Sequence, residues 1–209
     1  LMKRLINKLH HAQRANTRKG SRRNIAVHYD LGNDFFGFWL DDTMSYSSAL
    51  FAVQDEDIVG GQRRKYLRLA QQLDLRPGDR VLEIGCGWGG FAEIAAAEFG
   101  CHVVGVTLSA EQAAFAQDRM VRAGLKAKVD IRIQDYRDVE GQFDKIASIE
   151  MFEAVGEKFW PTYLEILKAR LKPGGKAALQ IITIDDAQFE NYRSNPDFVQ
   201  RYIFPGGML

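Results

Sequence analysis

The sequence predicts an α/β fold in which a mostly parallel sheet carries helices on both faces. Short apolar segments alternate with helical segments from residue 80 onward, and a glycine-rich turn joins the first strand of this series to its first helix. Of the 209 residues, 46% are apolar and 26% are charged, so the chain has room for one globular domain with a sizeable core. Strands and helices that alternate in this way are typical of parallel sheets with both faces covered.

The N-terminal segment, residues 1–23, is strongly basic. It holds eight lysines and arginines and no acid, a charge of +8 that leaves −7 on the rest of the chain. Met2, Leu5, Ile6 and Leu9 recur at helical spacing, which predicts a short amphipathic helix, with a disordered or solvated terminus as the alternative. Basic segments of this kind bind anionic surfaces such as lipid headgroups or nucleic acid.

Residues 24–75 are predicted to form a cap over a site on the sheet. Residues 24–51 are rich in aromatic side chains and have no clean period, which is typical of a second core layer or of a cover over a ligand site. A helix is predicted over residues 55–73, and a turn follows it at residues 76–79.

The predicted core is residues 76–186. Predicted strands cover residues 80–84, 102–106, 128–133, 143–149 and 176–184, and predicted helices cover residues 89–99, 109–123 and 157–171. The tail, residues 187–209, is again aromatic and is predicted to border the substrate. Sheets of this type carry two more strands, which are expected beyond residue 209 unless the strand count is too low.

The glycine-rich turn predicts the cofactor. Gly85, Gly87 and Gly90 fit the G-x-G-x-x-G pattern of dinucleotide sites, but those sites need an acid about 20 residues later, after the second strand. No acid follows that strand; Glu83 instead lies two residues before the first glycine, and acid-x-Gly-x-Gly resembles the first motif of S-adenosylmethionine (SAM)-dependent methyltransferases. The sequence therefore favours SAM over a dinucleotide or a glycine turn without a ligand.

The cysteines and the hydropathy pattern indicate the cellular setting. Cys86 and Cys101 give neither a disulfide framework nor the spacing of a zinc site, so no metal is predicted. No apolar run reaches the roughly 18 residues of a membrane span, and no signal-peptide pattern is present. These features predict a cytoplasmic protein, peripherally associated with the inner face of the membrane through its basic segment.

Further motifs occur together in one order along the chain. They cover residues 28–36, 46–47, 83–90, 107–112, 134–138, 151–156 and 202–205. Together they resemble the cyclopropane-fatty-acyl-phospholipid synthases, and the resemblance runs from about residue 24 to residue 209. It implies a Rossmann-like SAM-dependent methyltransferase fold and, as substrate, the cis double bond of an unsaturated phospholipid acyl chain.

The resemblance assigns cofactor contacts residue by residue. The methionine end of SAM would contact Tyr46 and Ser47, and its amino-acid part and ribose would be surrounded by Glu83, Gly85, Cys86, Gly87 and Gly89. The ribose and adenine would be bordered by Thr107, Leu108, Ser109 and Gln112. The adenine would be flanked by Asp135 and Tyr136. Each has a plainer alternative. Ser109 and Gln112 also form a capping box, Asp135 could cap a turn, Tyr136 could belong to the core, and Cys86 suits a small packing position.

The resemblance also implies the catalytic residues. Methylation of an alkene leaves a carbocation, which aromatic faces can stabilise and a base must deprotonate. In the family a bicarbonate is thought to be that base, and Glu153, Ser48 and Gln180 stand at positions of its site. Ser48 replaces a usual cysteine, and Gln180 replaces a usual histidine with a side chain that carries neither proton nor charge. Bicarbonate and ring closure are therefore in question, with a methyl- or methylene-branched chain as the other product.

Three other functions remain open at this level. A small-molecule methyltransferase would share the fold, since fold does not determine substrate. A nucleic-acid-binding protein could use the basic segment, although Glu150-Met151-Phe152-Glu153 is unlike the motif of base-modifying enzymes at this position. A SAM-binding protein without activity would fit the changed residues at 48 and 180. A homodimer is compatible with the sequence, and no nucleic-acid partner is predicted.

Overall fold

The structure is a computed structural model that describes residues 16–29, 31–195 and 197–208. Seven α-helices and five strands alternate in the order α1 Arg18–Tyr29, α2 Asn33–Gly37, α3 Ile58–Leu73, β1 Arg80–Ile84, α4 Gly90–Ala97, β2 His102–Thr107, α5 Ala110–Arg122, β3 Val129–Ile133, β4 Phe143–Ile149, α6 Trp160–Arg170, β5 Leu171–Gln180 and α7 Asp186–Ser194 within these residues. Short 3-10 turns follow β3 and β4, and a π-helical turn spans Val199–Ile203. The amphipathic helix predicted through residues 2–9 lies outside the described residues.

The sheet confirms the predicted fold class. Its strand order is β3-β2-β1-β4-β5, and every neighbouring pair is parallel. Val81 of β1 pairs with Val103 on one side and Lys145 on the other, so β1 lies at the centre of the sheet. The carboxyl ends of β1, β2 and β4 therefore meet at one edge, where ligands bind in open parallel sheets.

Two apolar cores cover the two faces of the sheet. On one face α3, α4 and α5 pack around Val81, Val103 and Ile131. On the other face α6 packs around Leu82 and Ile84. Because successive strand residues point to opposite faces, Glu83 points to the face that carries α3 and α4.

Strand β5 differs from its prediction. It spans Leu171–Gln180 rather than residues 176–184, so it starts five residues earlier and ends four residues earlier. Lys172 to Gly175 bulge out of the ladder, since Phe143 pairs with Leu171 and the next paired residue, Lys145, already faces Lys176. Pro173-Gly174-Gly175 lies between the helix predicted over residues 157–171 and the predicted strand, and in the structure a bulge at the sheet edge accommodates this segment within β5.

Two helix starts differ from their predictions by three residues. Helix α3 starts at Ile58 rather than residue 55, because the carboxylate of Asp57 caps it by accepting the N–H of Gly60 at 2.7 Å. Helix α6 starts at Trp160 rather than residue 157, because a 3-10 turn over Glu157–Phe159 precedes it.

Helix α1 crosses the predicted boundary between residues 23 and 24. Arg137 anchors it by donating to the carbonyl of Asn16 at 3.1 Å and to the hydroxyl of Ser21 at 3.2 Å, and Asn24 donates to the carbonyl of Pro205 at 3.1 Å. Helix α1 and Asn16 before it therefore contact the predicted core through Arg137 and the tail through Pro205. Within the described part of the chain, no helix combines the length and apolar character needed to span a membrane.

Candidate active site

A cavity of about 710 Å³ lies at the carboxyl ends of β1, β2 and β4, beneath α1 and the loop that follows α2. It brings together most of the site residues that the sequence predicts. Those that line it are Tyr46, Ser47, Ser48, Glu83, Gly85, Cys86, Gly87, Thr107, Leu108, Gln112, Asp135, Tyr136 and Glu153.

Three predicted site residues do not line this cavity. A Cβ on Gly89 would lie 3.1 Å from the Cβ of Ala116, so Gly89 serves the packing of α4 against α5. Ser109 caps α5 by accepting the N–H of Gln112 at 3.2 Å, which is half of the capping box that was the alternative; the N–H of Ser109 donates to the hydroxyl of Thr107 at 3.2 Å instead of to Gln112. Gln180 lies behind the cavity wall and reaches it through a hydrogen bond to Glu150.

The glycine turn has the conformation that its glycines allow. Gly85 and Gly87 have φ of 79° and 52°, in the region that side chains with a Cβ rarely adopt. The N–H groups of Gly85 and Cys86 both donate to the carbonyl of Val106, at 2.9 and 3.0 Å, which joins the turn to β2. A Cβ on Gly87 would meet no protein atom within 4 Å, so this glycine borders the open space of the cavity.

Glu83 is a buried carboxyl group beside the cavity. It is 3% exposed, and its Oε2 atom has no hydrogen-bond partner among the described residues. Burial raises the pKa of Glu83 to about 8, although the backbone of Ala92 and the charges of Arg119 and Lys65 oppose the rise. A buried oxygen without a partner beside a cavity fits a ligand that brings hydroxyl or ammonium donors, as the ribose and amino group of SAM do.

Lys65 and Gln62 are buried beside Glu83, and the sequence analysis missed both. Lys65 donates to the hydroxyl of Ser47 and to the side-chain oxygen of Gln62, and Gln62 donates to the carbonyl of Ser47 at 2.8 Å. Burial lowers the pKa of Lys65 to about 8, against the opposing charges of Glu150, Asp41 and Glu83. The sequence did contain a signal for this pair, since two polar residues three positions apart lie on the apolar face of a predicted helix.

The polar groups after β2 and β3 are already hydrogen-bonded within the protein. Thr107 donates to the side-chain oxygen of Gln112 at 2.7 Å. Asp135 caps the 3-10 turn by accepting the N–H of Arg137 at 3.0 Å, and it forms a buried ion pair with the same arginine at 2.6 Å. Tyr136 lines the cavity and packs on Tyr163, with ring centroids 5.2 Å apart. Their roles toward SAM stay predictions.

Aromatic rings from the cap surround the glycine turn. The ring of His28 lies 4.5 Å from Phe204 and 5.7 Å from Tyr46, measured between centroids, and Phe36 lies 5.1 Å from Trp88. The indole N–H of Trp88 donates to the side-chain oxygen of Asn33 at 2.7 Å, which ties the turn to α2. Burial lowers the pKa of His28, so the neutral imidazole is favoured among these rings.

Neither cysteine is arranged as a nucleophile. Burial, followed by the charge of Glu83, raises the pKa of Cys86 well above its usual range, which keeps it a thiol. Cys101 is buried just before β2, at the opposite edge of the sheet from the cavity, and burial raises its pKa to about 11. In residues 16–29, 31–195 and 197–208 no group of three or more His, Cys, Asp or Glu side chains is placed to hold a metal ion.

Two carboxylates, Glu150 and Glu153, face the cavity just after β4. The Oε1 atom of Glu153 accepts the N–H of Ile182, while its Oε2 atom is buried without a partner among the described residues. Glu150 accepts the N–H of Ser48 at 2.9 Å and the side-chain amide of Gln180 at 2.8 Å. The sequence analysis did not single out Glu150, although an acid directly after a buried central strand was a usable signal.

Known proteins share this chain's sequence over most of its length. Residues 16–209 match a family model described as mycolic acid cyclopropane synthetase. The chain is 45% identical over 200 residues to tuberculostearic acid methyltransferase UfaA1 of Mycobacterium tuberculosis, which covers 92% of this chain and 47% of that protein. It is 44% identical over 182 residues to cyclopropane-fatty-acyl-phospholipid synthase of Escherichia coli K12, which covers 87% of this chain and 45% of that protein.

A solved structure gives the same result. Mycolic acid cyclopropane synthase CmaA1 complexed with SAH and CTAB superimposes with a TM-score of 0.80 at 28% sequence identity, over 90% of this chain and 69% of that one. The chain spans about half the length of the curated relatives it matches.

Proposed function

The chain belongs to the mycolic acid cyclopropane synthetase family, and from that membership we propose that it methylates the cis double bond of unsaturated acyl chains in membrane phospholipids, with SAM as methyl donor. Beyond the family membership, the proposal specifies a phospholipid as the substrate and its double bond as the place of methylation. The relatives named tuberculostearic acid methyltransferase and cyclopropane-fatty-acyl-phospholipid synthase support them, since both match at more than 40% identity.

The observation that carries the proposal is one cavity lined by both polar and apolar groups. The glycine turn, the Oε2 atom of Glu83 and the hydroxyl of Ser47 provide polar groups. Apolar side chains come from the cap, the turn after β4, the loop after β5 and the tail: Trp39, Leu40, Met44, Ile58, Val155, Ile182, Val199 and Phe204. A polar nucleotide ligand and an apolar chain can therefore meet in one cavity.

This arrangement suits the chemistry. SAM supplies an electrophilic methyl group on its sulfonium. An alkene is a poor nucleophile, so the apolar walls must hold it in line with that methyl group and exclude water. The carbocation that follows would lie near the aromatic rings of Tyr46 and Phe204 and the carboxyl groups of Glu150 and Glu153, all of which line the cavity.

The direct test is methyl transfer by the complete protein from isotopically labelled SAM into phospholipid vesicles. We expect label in vesicles with oleoyl chains and none in vesicles of the same headgroup with stearoyl chains. Label that enters both equally, or only the headgroup, would refute methylation of the double bond. Label that enters small soluble amines instead would favour the small-molecule methyltransferase.

The product follows from the same experiment. Proton NMR of the extracted lipid separates ring methylene signals, which lie upfield of the methyl region, from the signals of a methylene or methyl branch. The residues at positions 48 and 180 support a share of branched product, because they depart from the set that the family resemblance associates with ring closure.

A further inference from the structure

Glu150 has a backbone conformation that glutamate rarely adopts. Its φ is 46°, in the left-handed region. The residue sits at the end of β4, where its N–H donates to the carbonyl of Gln180 at 2.8 Å and extends the strand pairing by one residue. Strained backbone at a residue with a Cβ persists only where the surroundings hold it, and such positions concentrate at functional sites.

The carboxylate of Glu150 is held in one orientation at the cavity. Its Oε1 atom accepts both the N–H of Ser48 and the amide N–H of Gln180, so the loop after α2 and the end of β5 fix it from two sides. No donor among the described residues contacts its Oε2 atom within hydrogen-bond distance. One oxygen is therefore anchored, and the other is left to receive a proton.

The charge of Glu150 acts on the groups around it. Burial raises the pKa of Glu153, and the charge of Glu150 raises it further, against the N–H of Ile182. The same charge adds to burial in raising the pKa of Tyr46, and it opposes the effect of burial on the pKa of Lys65. Two neighbouring carboxyl groups thus have different environments, and Glu153 retains its proton to higher pH than a free glutamate does.

A bicarbonate ion does not fit these residues. The family resemblance places its site at positions 48, 153 and 180, but the backbone N–H of Ser48 and the amide of Gln180 already donate to Glu150, and the same amide also donates to the carbonyl of Ser48 at 3.4 Å. Gln180 brings no positive charge to compensate a second anion, and such an ion would lie against the carboxyl groups of both Glu150 and Glu153.

We propose that Glu150 is the general base of the reaction. In this role a carboxylate of the protein itself takes the place of a bound anion. The inference rests on the proposed function. Transfer of the methyl group forms a carbon–carbon bond to one alkene carbon, breaks the sulfur–methyl bond and leaves a cation on the acyl chain. The Oε2 atom of Glu150 then accepts a proton from a C–H group of the acyl chain. The electron pair of that C–H bond closes the ring or forms a carbon–carbon double bond. No oxidant or reductant is needed.

The test compares variants of the complete protein in the labelled-lipid assay. Glu150→Gln keeps the size of the side chain and an acceptor for Ser48 and Gln180, so we expect SAM affinity within about twofold of the wild type. We expect its turnover to fall by about 100-fold or more, the scale of general-base catalysis. Glu165→Gln, at an exposed position on α6, is the matched control and should leave turnover unchanged. A Glu150→Gln variant with turnover within threefold of the wild type would overturn the inference.

Chemical rescue separates a base from a structural group. Glu150→Gly relieves the positive φ and leaves space where the carboxylate was, so added formate or bicarbonate should restore at least a tenth of the wild-type turnover. The same anions should not restore Glu150→Gln, whose amide fills the space. Failure of both anions to restore Glu150→Gly, or activation of the wild type by bicarbonate, would overturn the inference. A wild-type protein that binds SAM but labels no lipid would instead refute the proposed function, and the inference with it.

Discussion

The ammonium group of Lys65 lies 2.5 Å from the hydroxyl oxygen of Ser47 and donates a hydrogen bond to it from within the protein core. Lys65 is only 3% exposed, so this charge reaches the cavity only through its neighbours. Because the Ser47 oxygen accepts from Lys65, the hydroxyl proton of Ser47 is directed to other acceptors, and the carboxylate of SAM is the acceptor that the cofactor prediction places there.

Lys65→Met should therefore weaken SAM binding. The substitution removes the donor that orients Ser47 and the nearest buried positive charge, while it keeps a long side chain in the core. We expect the dissociation constant for SAM to rise about tenfold in calorimetry, which corresponds to about 1.4 kcal/mol. Arg68→Met, on the exposed face of the same helix, should leave the constant unchanged. Equal affinities for the two variants would show that Lys65 does not act on the cofactor.

Binding of SAM should release a proton from Glu83. Burial raises the pKa of Glu83 to about 8 in the free protein, so near pH 7 most molecules carry the proton on this carboxyl group. Donors on the ligand favour the ionised form and lower that pKa, so a proton leaves as SAM binds. At pH 7 the calorimetric enthalpy should vary with the ionisation enthalpy of the buffer, in the direction of proton release.

The control for this effect is Glu83→Gln, which has no proton to lose. Its binding enthalpy should lose most of the buffer dependence, even though burial lowers the pKa of Lys65 to about 8 and this lysine remains in place. The sign gives a second check, because SAM affinity of the wild type should rise as pH increases from about 6 through 8. Affinity that falls over this range would contradict the assignment.

Gly87→Val should abolish SAM binding. The branched side chain would project into the open space beside the glycine turn, where the ligand is predicted to lie. Gly141→Val is the matched control, because Gly141 also has positive φ, at 85°, and a Cβ added there would also meet no atom within 4 Å, but it lies outside the cavity. Both variants should lose similar thermal stability, and only Gly87→Val should lose SAM binding. If the wild type bound NAD more tightly than SAM, the assignment of SAM as the cofactor would be wrong.

The basic segment should bind anionic membrane. Residues 1–15 lie outside the described residues and contain Lys3, Arg4, Lys8 and Arg14. Replacing these four by glutamine removes about 1 kcal/mol of attraction per charge near an anionic surface, so flotation with anionic vesicles should decrease strongly. This design leaves residues 16–23 intact, because they pack against the site. Flotation that is unchanged, or that is equal on neutral vesicles, would refute membrane docking through this segment.

Glu153→Gln should lower turnover by about 10- to 100-fold and leave SAM affinity unchanged. The amide can still accept the N–H of Ile182, so the local fold is kept, but a carboxyl group beside the developing cation is lost. Glu140→Gln, at an exposed position before β4, serves as the control in the labelled-lipid assay. Turnover equal to the wild type would remove Glu153 from the catalytic residues.

Much of the fold followed from the sequence because periodicity and glycine stops report directly on strands and helices. Strands β1 and β4 have the predicted bounds, and the comparisons confirm the predicted family and the fold of SAM-dependent methyltransferases. Strand β5 was misplaced because Pro173-Gly174-Gly175 is equally compatible with a turn and with a bulge. The choice between them depends on pairing with β4, which no local pattern contains.

The site was predicted where motifs are contiguous and was missed where it is assembled from distant segments. The glycine turn and Thr107, which line the cavity, could be singled out because each belongs to a short motif. The proposed role of Glu150 depends on contacts with Ser48 and Gln180, which are 102 and 30 residues away in the chain. Lys65 was missed because a lysine on a helix usually faces solvent, and only the tertiary packing of Ser47 and Gln62 satisfies it when buried.

The hydrogen bond between Trp88 and Asn33 connects the glycine turn directly to the cap. Asn33 also donates to Glu111 on α5, so a ligand that orders the turn orders the cap at the same time. Since part of the apolar wall belongs to the cap, occupancy by the nucleotide would tighten binding of the acyl chain. By thermodynamic reciprocity the acyl chain would then tighten binding of the nucleotide by the same coupling energy. We expect the spent cofactor and the modified lipid each to bind more tightly when the other is present.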